Sequence, residues 1–331
     1  MLSNHTSDPI ESQLREEALY KPYQSLNAYL KKKYGEKIYK IALDGGFTCP
    51  NRDGTCGTRG CIFCSAGGSG EFATAIRQNS SNDAQITQAL ARFGNKQTGQ
   101  RFIAYFQAYT GTYAAPERLY ALYHMALSHP KIIGISIATR PDCLPAPVLD
   151  VIKQCQMEFP DKFVWIELGL QSVHEKTALY IRRGYPLSCF EGALETLQTM
   201  SVPVIVHVIL GLPGETRADM LATIDYLSHK NIFGIKLQLL HVLRGTDLAA
   251  EYERGVFSCL SKEAYIDLLC SCIDHLNPAI VLHRVTGDGP KDLLIAPIWS
   301  LQKRDVLNSL HKALRDGEHF QGKDFGNHRP L

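Results

Sequence analysis

Six short apolar segments recur along the chain, and a stretch with helical character follows each of them. Near-continuous apolar runs of this length are typical of strands buried on both faces of a parallel sheet, and strand–helix alternation favours right-handed crossovers. Six units are too few for a closed eight-stranded barrel, so the sequence predicts an α/β fold, a partial (β/α)6 TIM-like barrel. The predicted strands are at 38–43, 101–107, 131–138, 163–170, 203–210 and 233–240, and the last predicted helices are at 261–276 and 301–316.

The length of 331 residues suits one such barrel with additions at its ends. We expect a flexible tail at 1–19, the partial barrel at 20–260 with an irregular loop at 45–70, and a short C-terminal extension at 261–331 that packs on the barrel. Polar groups at the carboxyl ends of parallel strands form the usual ligand site of such sheets, and the loop follows the first strand.

The net charge and the composition of the chain exclude few classes of function. Thirty-five Lys and Arg against thirty-three Asp and Glu leave 35 − 33 = +2, so a nucleic-acid site would have to be a local patch. The sequence has no apolar run of about eighteen residues and no signal-peptide pattern, which predicts no membrane contact and a cytoplasmic protein. Ten cysteines in that setting are expected to stay reduced or to bind metal.

The loop contains four cysteines and six glycines between Cys49 and Gly70, without helical or strand periodicity. Cys61 and Cys64 form a C-x-x-C pair, which directs two thiolates at one metal centre, and Cys49 is placed to supply a third. Cys56 leaves two possibilities open at this point. If it also binds, four thiolates form a structural zinc site; if not, three thiolates leave a coordination position for a small molecule.

The loop resembles that of the radical S-adenosylmethionine (SAM) superfamily, and more narrowly of its YtqA/YhcC (MnmL-like) branch, which is related to the radical SAM domain of the Elongator catalytic subunit. The resemblance rests on Cys49-Pro50-Asn51-Arg52-Asp53-Gly54 with Cys61 and Cys64. It is supported by four segments at or just after predicted strand ends: Thr139-Arg140-Pro141-Asp142, Glu167-Leu168-Gly169-Leu170-Gln171-Ser172, Gly211-Leu212-Pro213-Gly214-Glu215-Thr216 and Arg244-Gly245-Thr246.

This resemblance implies an enzyme with a barrel of the radical SAM type, whose cofactors are a 4Fe-4S cluster and SAM. Cys49, Cys61 and Cys64 would hold the cluster, with Cys56 set aside. By the same resemblance, SAM would be bound by Gly67, Gly68, Glu167, Gln171, Arg183 and Ile209. Glu167 lies in an apolar strand, so its carboxylate needs a partner, for which Arg140 or a SAM hydroxyl is a candidate; a buried ion pair without ligand contact is the alternative.

Polar residues at other strand ends are candidates for the substrate pocket. They are Gln107, Tyr113, Arg140, Asp142, Gln238 and His241, with His283, Arg284 and Asp288 expected to close the pocket; catalytic residues are not identified. Two positions depart from the relatives: Gly111 replaces an Asn of the family's Gln-x-x-Thr-Asn-Thr-Tyr motif, and Ala138 replaces a glutamate of the Elongator subunit. His207 is expected to be a packed residue of the core or pocket wall.

The same kinship implies the anticodon loop of tRNA as substrate, with conversion of a carboxymethylaminomethyl group to aminomethyl at carbon 5 of the wobble uridine, and an electron donor such as a flavodoxin or ferredoxin. A small metabolite or a protein is the alternative substrate, and a structural zinc module the alternative to an enzyme. Two basic groups offer modest support for RNA binding, although charge runs are more often solvated faces. They are Lys31–Lys33 with Lys37 and Lys40, and Lys303, Arg304, Lys312 and Arg315.

Overall fold

The structure is a computed structural model that describes residues 22–75, 82–91, 100–287 and 289–326. The predicted tail at 1–19 and the pocket candidate Asp288 lie outside the described residues.

Eight parallel strands form one sheet in the order β2-β1-β3-β4-β5-β6-β7-β9. All six predicted strands are present, and a short strand is added at each edge. Every residue of β3 and β4 is buried, which agrees with the prediction of a sheet covered on both faces. The strands are β1 (Tyr39–Asp44), β2 (Thr74–Ala75), β3 (Phe102–Phe106), β4 (Ile132–Thr139), β5 (Phe163–Gln171), β6 (Val204–Leu210), β7 (Gly234–Leu239) and β9 (Val281–Arg284).

Contacts across the interior show that the sheet is curled. Lys236 on β7 donates to the Tyr105 hydroxyl on β3 over 3.0 Å, although three strands separate β7 from β3. In a flat sheet with strands about 4.8 Å apart, the two backbones would lie roughly 19 Å from each other. The side chains meet only because the sheet closes toward a barrel, so the predicted partial TIM-like barrel is confirmed.

Helices cover the outer face and bury an apolar core against the sheet. Thr216 caps its helix as predicted, in a capping box with Asp219. The helices are α1 (Leu26–Tyr34), α2 (Asn82–Ala91), α3 (Pro116–Ser128), α4 (Ala146–Glu158), α5 (Glu175–Tyr180), α6 (Leu187–Thr199), α7 (Arg217–Ser228), α8 (Asp247–Glu253), α9 (Lys262–His275) and α10 (Lys303–Asp316). Among the described residues, none of the helices is long and apolar enough to cross a membrane.

The last part of the chain is joined to the sheet itself. β9 pairs in parallel with β7, and Leu282 also donates its amide to the Gln24 carbonyl near the beginning of the described chain. A small antiparallel pair, β8 (Val242–Leu243) and β10 (Leu294–Ala296), lies beyond the carboxyl end of β7. This segment therefore brings Arg284 to the barrel interior.

Candidate active site

The cysteine loop follows β1 and forms one wall of a cavity of about 250 Å³ at the carboxyl ends of the strands. Cys49, Cys61 and Cys64 all line this cavity. Cys56 is exposed and does not line it. The structure thus brings together the three cysteines that the resemblance selected and separates the fourth from them.

Two residues of the loop hold its shape. The buried Asn51 amide donates to the carbonyls of Arg182 (2.7 Å) and Arg183 (3.3 Å), and its Nδ2 lies 3.5 Å from Cys61 Sγ. Arg52 donates to the carbonyls of Cys64 (3.0 Å) and Ser65 (2.5 Å). The thiols are therefore fixed by contacts to the rest of the barrel as well as by the glycine-rich turns.

Burial sets the protonation of these thiols. It raises the pKa of Cys61 to about 12 and also raises the pKa of Cys64. Both thiols are protonated at neutral pH unless a positively charged metal centre replaces the protons. Across 22–75, 82–91, 100–287 and 289–326, no three His, Cys, Asp or Glu side chains converge as one metal ion requires. Three thiolates are a ligand set that holds iron-sulfur clusters.

The glycines after Cys64 are held by the strand that ends beside them. Gly68 has a φ of +58°, and a Cβ there would lie 2.3 Å from the Tyr109 ring, while its carbonyl accepts the Tyr109 amide over 2.8 Å. The Gln107 side chain donates to the Ser69 carbonyl over 2.8 Å. Gly68 lines the cavity and Gly67 does not. The polar motif after β3 therefore supports the cysteine loop, and Gln107 also faces the cavity.

The carboxyl end of β5 carries backbone strain at a candidate SAM ligand. Gln171 has a φ of +67°, and its Oε1 is buried without a hydrogen-bond partner among the described atoms. Arg183 is 1% exposed and donates to the carbonyls of Leu170 (3.1 Å) and Ser172 (2.7 Å), on either side of Gln171. Arg183 therefore fixes the conformation of Gln171, which lines the cavity and keeps a buried oxygen without a hydrogen-bond partner among the described atoms.

Arg140 has a different partner from the predicted one. Its guanidinium forms a bidentate pair with Asp142 (2.8 and 2.6 Å), donates to the Arg183 carbonyl and lies 4.9 Å from the centre of the Tyr185 ring. Of the two candidate partners for Glu167, Arg140 is therefore wrong, because its guanidinium is paired with Asp142. Arg140 lines the cavity, whereas Asp142 does not and serves to orient Arg140.

Glu167 instead lies in a group that we call the charged layer: Lys40, Tyr105, Glu167, His207, Lys236 and Arg284. The carboxylate is fully buried; one oxygen is 2.5 Å from the Lys40 ammonium, and the other contacts Lys236 and lies 2.6 Å from His207 Nε2. Although burial opposes ionisation, the lysines hold the pKa of Glu167 well below its usual range. The alternative of a buried ion pair is therefore present, and SAM binding by Glu167 stays a prediction.

The charged layer corrects one expectation and confirms another. Lys40 does not belong to a surface basic patch, because its ammonium points into the barrel toward Glu167. His207 lines the cavity wall as expected, and burial together with Lys236 lowers its pKa to about 4, so the ring is neutral at pH 7. Lys236 and Tyr105 were missed, although a lysine within the apolar run 233–240 was a visible signal.

The remaining pocket candidates divide into two groups. Ile209, Gln238 and His241 line the cavity, as does Arg284. Tyr113 does not: its hydroxyl lies 3.0 Å from that of Thr55 on the outer part of the cysteine loop, so the structure does not support a role in the pocket. His283 packs its ring against Trp165 and Phe233 beneath the charged layer.

The two departures from the relatives lie against each other. The Gly111 amide donates to the Ala138 carbonyl over 2.7 Å, and a Cβ at Gly111 would lie 2.8 Å from that carbonyl oxygen. A side chain at position 111 therefore needs this part of the wall to move, and in this chain the contact excludes one.

Comparisons with known proteins agree with this site. A family model described as the radical SAM superfamily matches residues 54–227, and one described as the Radical_SAM C-terminal domain matches 232–316. YtqA of Bacillus subtilis is 42% identical over 92% of this chain and 93% of its own length, and YhcC of Escherichia coli is 37% identical over 87% and 90%.

Among solved structures, Elp3 of Methanocaldococcus infernus superposes with a TM-score of 0.62, at 14% identity, over 85% of this chain and 63% of that one, and supports the fold. The chain therefore belongs to the radical SAM superfamily, within it to the branch of YtqA and YhcC, and its cofactors are a 4Fe-4S cluster and S-adenosylmethionine.

Proposed function

We propose that this radical SAM enzyme modifies the substituent at carbon 5 of the wobble uridine in tRNA, converting carboxymethylaminomethyl to aminomethyl. The observation that carries the proposal is a cavity that begins at Cys49, Cys61 and Cys64 and extends along the inner face of the sheet to the charged layer. Such a cavity admits one extended substituent and keeps it away from bulk water.

The residues proposed for the cofactors follow from their positions. Cys49, Cys61 and Cys64 hold the cluster, because they are the cysteines of the loop that line the cavity. Gln171 offers an unpaired acceptor to SAM, and Arg183 fixes that glutamine in its strained conformation. Ile209 supplies apolar contact from β6. When bound, the two cofactors supply a one-electron reduction of SAM to methionine and a 5′-deoxyadenosyl radical, which removes a hydrogen atom from the substrate.

Gly67, Gly68 and Glu167 complete the proposed SAM site, and a different structural observation bears on each of them. Gly68 lines the cavity, and its left-handed backbone conformation brings the main chain close to the space beside Cys64. Gly67 lies beside the Glu71 carboxylate and acts through the shape of the loop. Both Glu167 oxygens already have lysine partners, so Glu167 acts on a ligand through Lys40 and Lys236.

Two features support tRNA as the substrate. The sequence resembles the Elongator catalytic subunit, whose kinship implies a wobble uridine, and an anticodon loop presents bases that are already unstacked. Lys31–Lys33 are exposed in the last turn of α1, and the basic residues of α10 are exposed as well. These groups provide surface for phosphate contacts. A flavodoxin or a ferredoxin is the proposed electron donor.

The test compares two cysteine variants in a strain that lacks the gene. Wild type is expected to restore the aminomethyl nucleoside and its downstream products in tRNA, measured by mass spectrometry. Cys61→Ser removes a cluster thiolate and is expected to restore nothing. Cys56→Ser changes an exposed cysteine of the same loop and is expected to behave as wild type. Unchanged wobble nucleosides in the deletion strain would refute the proposed substrate and favour a small metabolite or a protein.

A further inference from the structure

The charged layer carries more positive than negative charge. Lys40, Lys236 and Arg284 contribute three cations, and Glu167 is the one carboxylate that the described residues place among them. His207 is neutral at pH 7, and burial also lowers the pKa of His283 well below its usual range, so its ring is neutral too. The Tyr105 hydroxyl stays protonated, because burial raises its pKa. With both lysines protonated, three cations against one carboxylate give the layer a net charge of 3 − 1 = +2.

This charge is costly where it lies. Lys236 is 3% exposed, and burial holds its pKa well below the usual range. Arg284 is close enough to both lysines to lower their pKa values, yet none of the described residues pairs with its guanidinium. Buried cations without counter-charges destabilise a fold unless an anion compensates them. These destabilising charges lie at the end of a cavity rather than in a closed core.

The space beside the layer is sufficient for a ligand group. Lys236 and Arg284 line both the cavity of the cysteine loop and a second cavity of about 300 Å³, which also contacts Lys40. A carboxylate or phosphate oxygen of a ligand that reaches this point would contact donors from β1, β7 and β9 together. The layer therefore joins the Lys40–Glu167–Lys236 ion pairs to Arg284, whose guanidinium has no partner among the described residues and lines both cavities.

The depth of the layer separates Lys236 and Arg284 from Gln171 of the proposed SAM site, although Glu167 belongs to both groups. Glu167 lies four residues before Gln171 on β5, which corresponds to roughly 13 Å along the strand. Lys236 likewise precedes the carboxyl end of β7, where Gln238 and Leu239 line the upper cavity. A group bound between Lys236 and Arg284 thus lies deeper in the barrel than Gln171, beside Glu167, on the side where a substrate substituent would extend.

We infer that the charged layer binds an anionic group of the substrate, and that Lys236 and Arg284 determine specificity for it. On the proposed function, on which this assignment of the substrate rests, the group is the carboxylate of carboxymethylaminomethyl uridine. The aminomethyl product lacks this carboxylate and keeps only the cationic amine, which the same cations repel. The layer therefore favours substrate over product.

The first arm of the test measures binding to the cluster-loaded protein with saturating SAM under anaerobic conditions. The ligands are two anticodon stem-loop RNAs that differ in carrying carboxymethylaminomethyluridine or aminomethyluridine. Wild type is expected to bind the carboxylated RNA about tenfold more tightly, which corresponds to about 1.4 kcal/mol, because the carboxylate gains a charge-assisted contact. Arg284→Gln and Lys236→Met are expected to lose most of this preference. The control Lys162→Met removes a lysine that caps backbone carbonyls of Leu127 and His129 away from the cavity and is expected to keep it.

The second arm needs no RNA and separates this inference from the proposed function. Sodium acetate is expected to raise the Tm of the wild-type holoprotein above that in sodium chloride of equal ionic strength, and to do so less in Arg284→Gln. Inorganic phosphate is run in parallel, and a larger effect of phosphate than of acetate would refute the carboxylate assignment. If acetate raises the Tm but the protein binds both RNAs equally, the anion site is supported and the tRNA substrate is refuted.

Two outcomes would overturn the inference. One is the same Tm in acetate and chloride for wild type together with equal affinity for both RNAs. The other is competition between acetate and SAM, seen as a weaker apparent affinity for SAM in acetate, because the anion site would then belong to the cofactor. Arg284→Gln keeps the test independent of folding, since this change breaks no ion pair among the described residues and relieves repulsion with Lys40 and Lys236.

Discussion

Replacing Glu167 by Gln tests the electrostatics of the barrel interior most directly. The side chain keeps its shape, but its negative charge is lost, and the NH2 group that replaces one carboxylate oxygen turns its donors toward the ammonium of Lys40 or that of Lys236. Removing one partner of a buried ion pair typically costs about 3–5 kcal/mol of unfolding free energy, because the remaining charge is unpaired.

The structure also sets an upper limit for this cost. A lysine without its carboxylate can lose its proton, and at pH 7 this costs about 4.6 kcal/mol for each lysine, which is 1.36 kcal/mol for each of the roughly 3.4 pH units below its unfolded pKa. At pH 10 the same limit is only about 0.5 kcal/mol. We therefore expect Glu167→Gln to be about 4 kcal/mol less stable than wild type at pH 7, and the difference to shrink toward pH 10.

At acidic pH the stability difference between wild type and Glu167→Gln depends on the protonation of Glu167 instead of the lysines. The pKa of Glu167 is lowered in the folded state, so its stabilising contribution is present above the unfolded value of about 4.3 and is lost as the pH falls through the folded value. The lysine pKa values are lowered in the folded state, so their unfavourable contribution is present at neutral pH and disappears above about pH 10.4. The difference between the two proteins is thus largest between about pH 5 and 9.

Urea unfolding of the cluster-loaded proteins at pH 4, 7 and 10, monitored by tryptophan fluorescence, measures these differences. Trp165 is a suitable probe, because its ring centre lies 5.6 Å from the Lys40 ammonium. Glu191→Gln is the matched control: its carboxylate pairs with Lys230 at the surface, and its loss is expected to change stability by less than about 1 kcal/mol. A difference for Glu167→Gln below about 1 kcal/mol at pH 7, or one that stays constant from pH 7 to 10, would refute the reasoning.

Three further variants test other parts of the site. Cys61→Ser is expected to abolish the visible absorbance of the cluster after anaerobic reconstitution, while Cys56→Ser keeps it; equal loss in both would refute the division of the four cysteines. Gly68→Ala is expected to lower the free energy of unfolding by about 1–3 kcal/mol and to weaken SAM binding, because its Cβ would overlap the Tyr109 ring; Gly35→Ala, with a similar φ and open space, isolates the backbone cost, and equal losses would show that the overlap is irrelevant. Arg284→Gln is expected to leave the urea midpoint of the ligand-free protein unchanged or higher, and a clear decrease would indicate a stabilising partner for Arg284.

Local patterns in the sequence were sufficient for the sheet and for the metal-binding loop. The six apolar runs appear as strands because each is long enough to span the sheet, and Lys40, Glu167 and Lys236 are the charged residues in their interiors. The spacing of Cys49, Cys61 and Cys64 indicates a metal-binding loop by itself, because a C-x-x-C turn directs two thiolates toward one centre in any structural context. The two-residue strand β2 and the edge strand β9 were missed because such short segments carry too little periodicity.

Other features depend on positions that are far apart along the chain. Lys40 and Glu167 are 127 residues apart, and Lys236 is 69 residues from Glu167, so no local pattern pairs them. The register of the sheet decides that all three side chains face inward, and its curl brings β1 and β7 within reach of β5. The sequence by itself therefore determined the barrel and its cysteine loop, which rest on local periodicity and spacing. Only the tertiary structure decided that the cavity ends at the charged layer, because electrostatic contacts across a barrel form only once the sheet has closed.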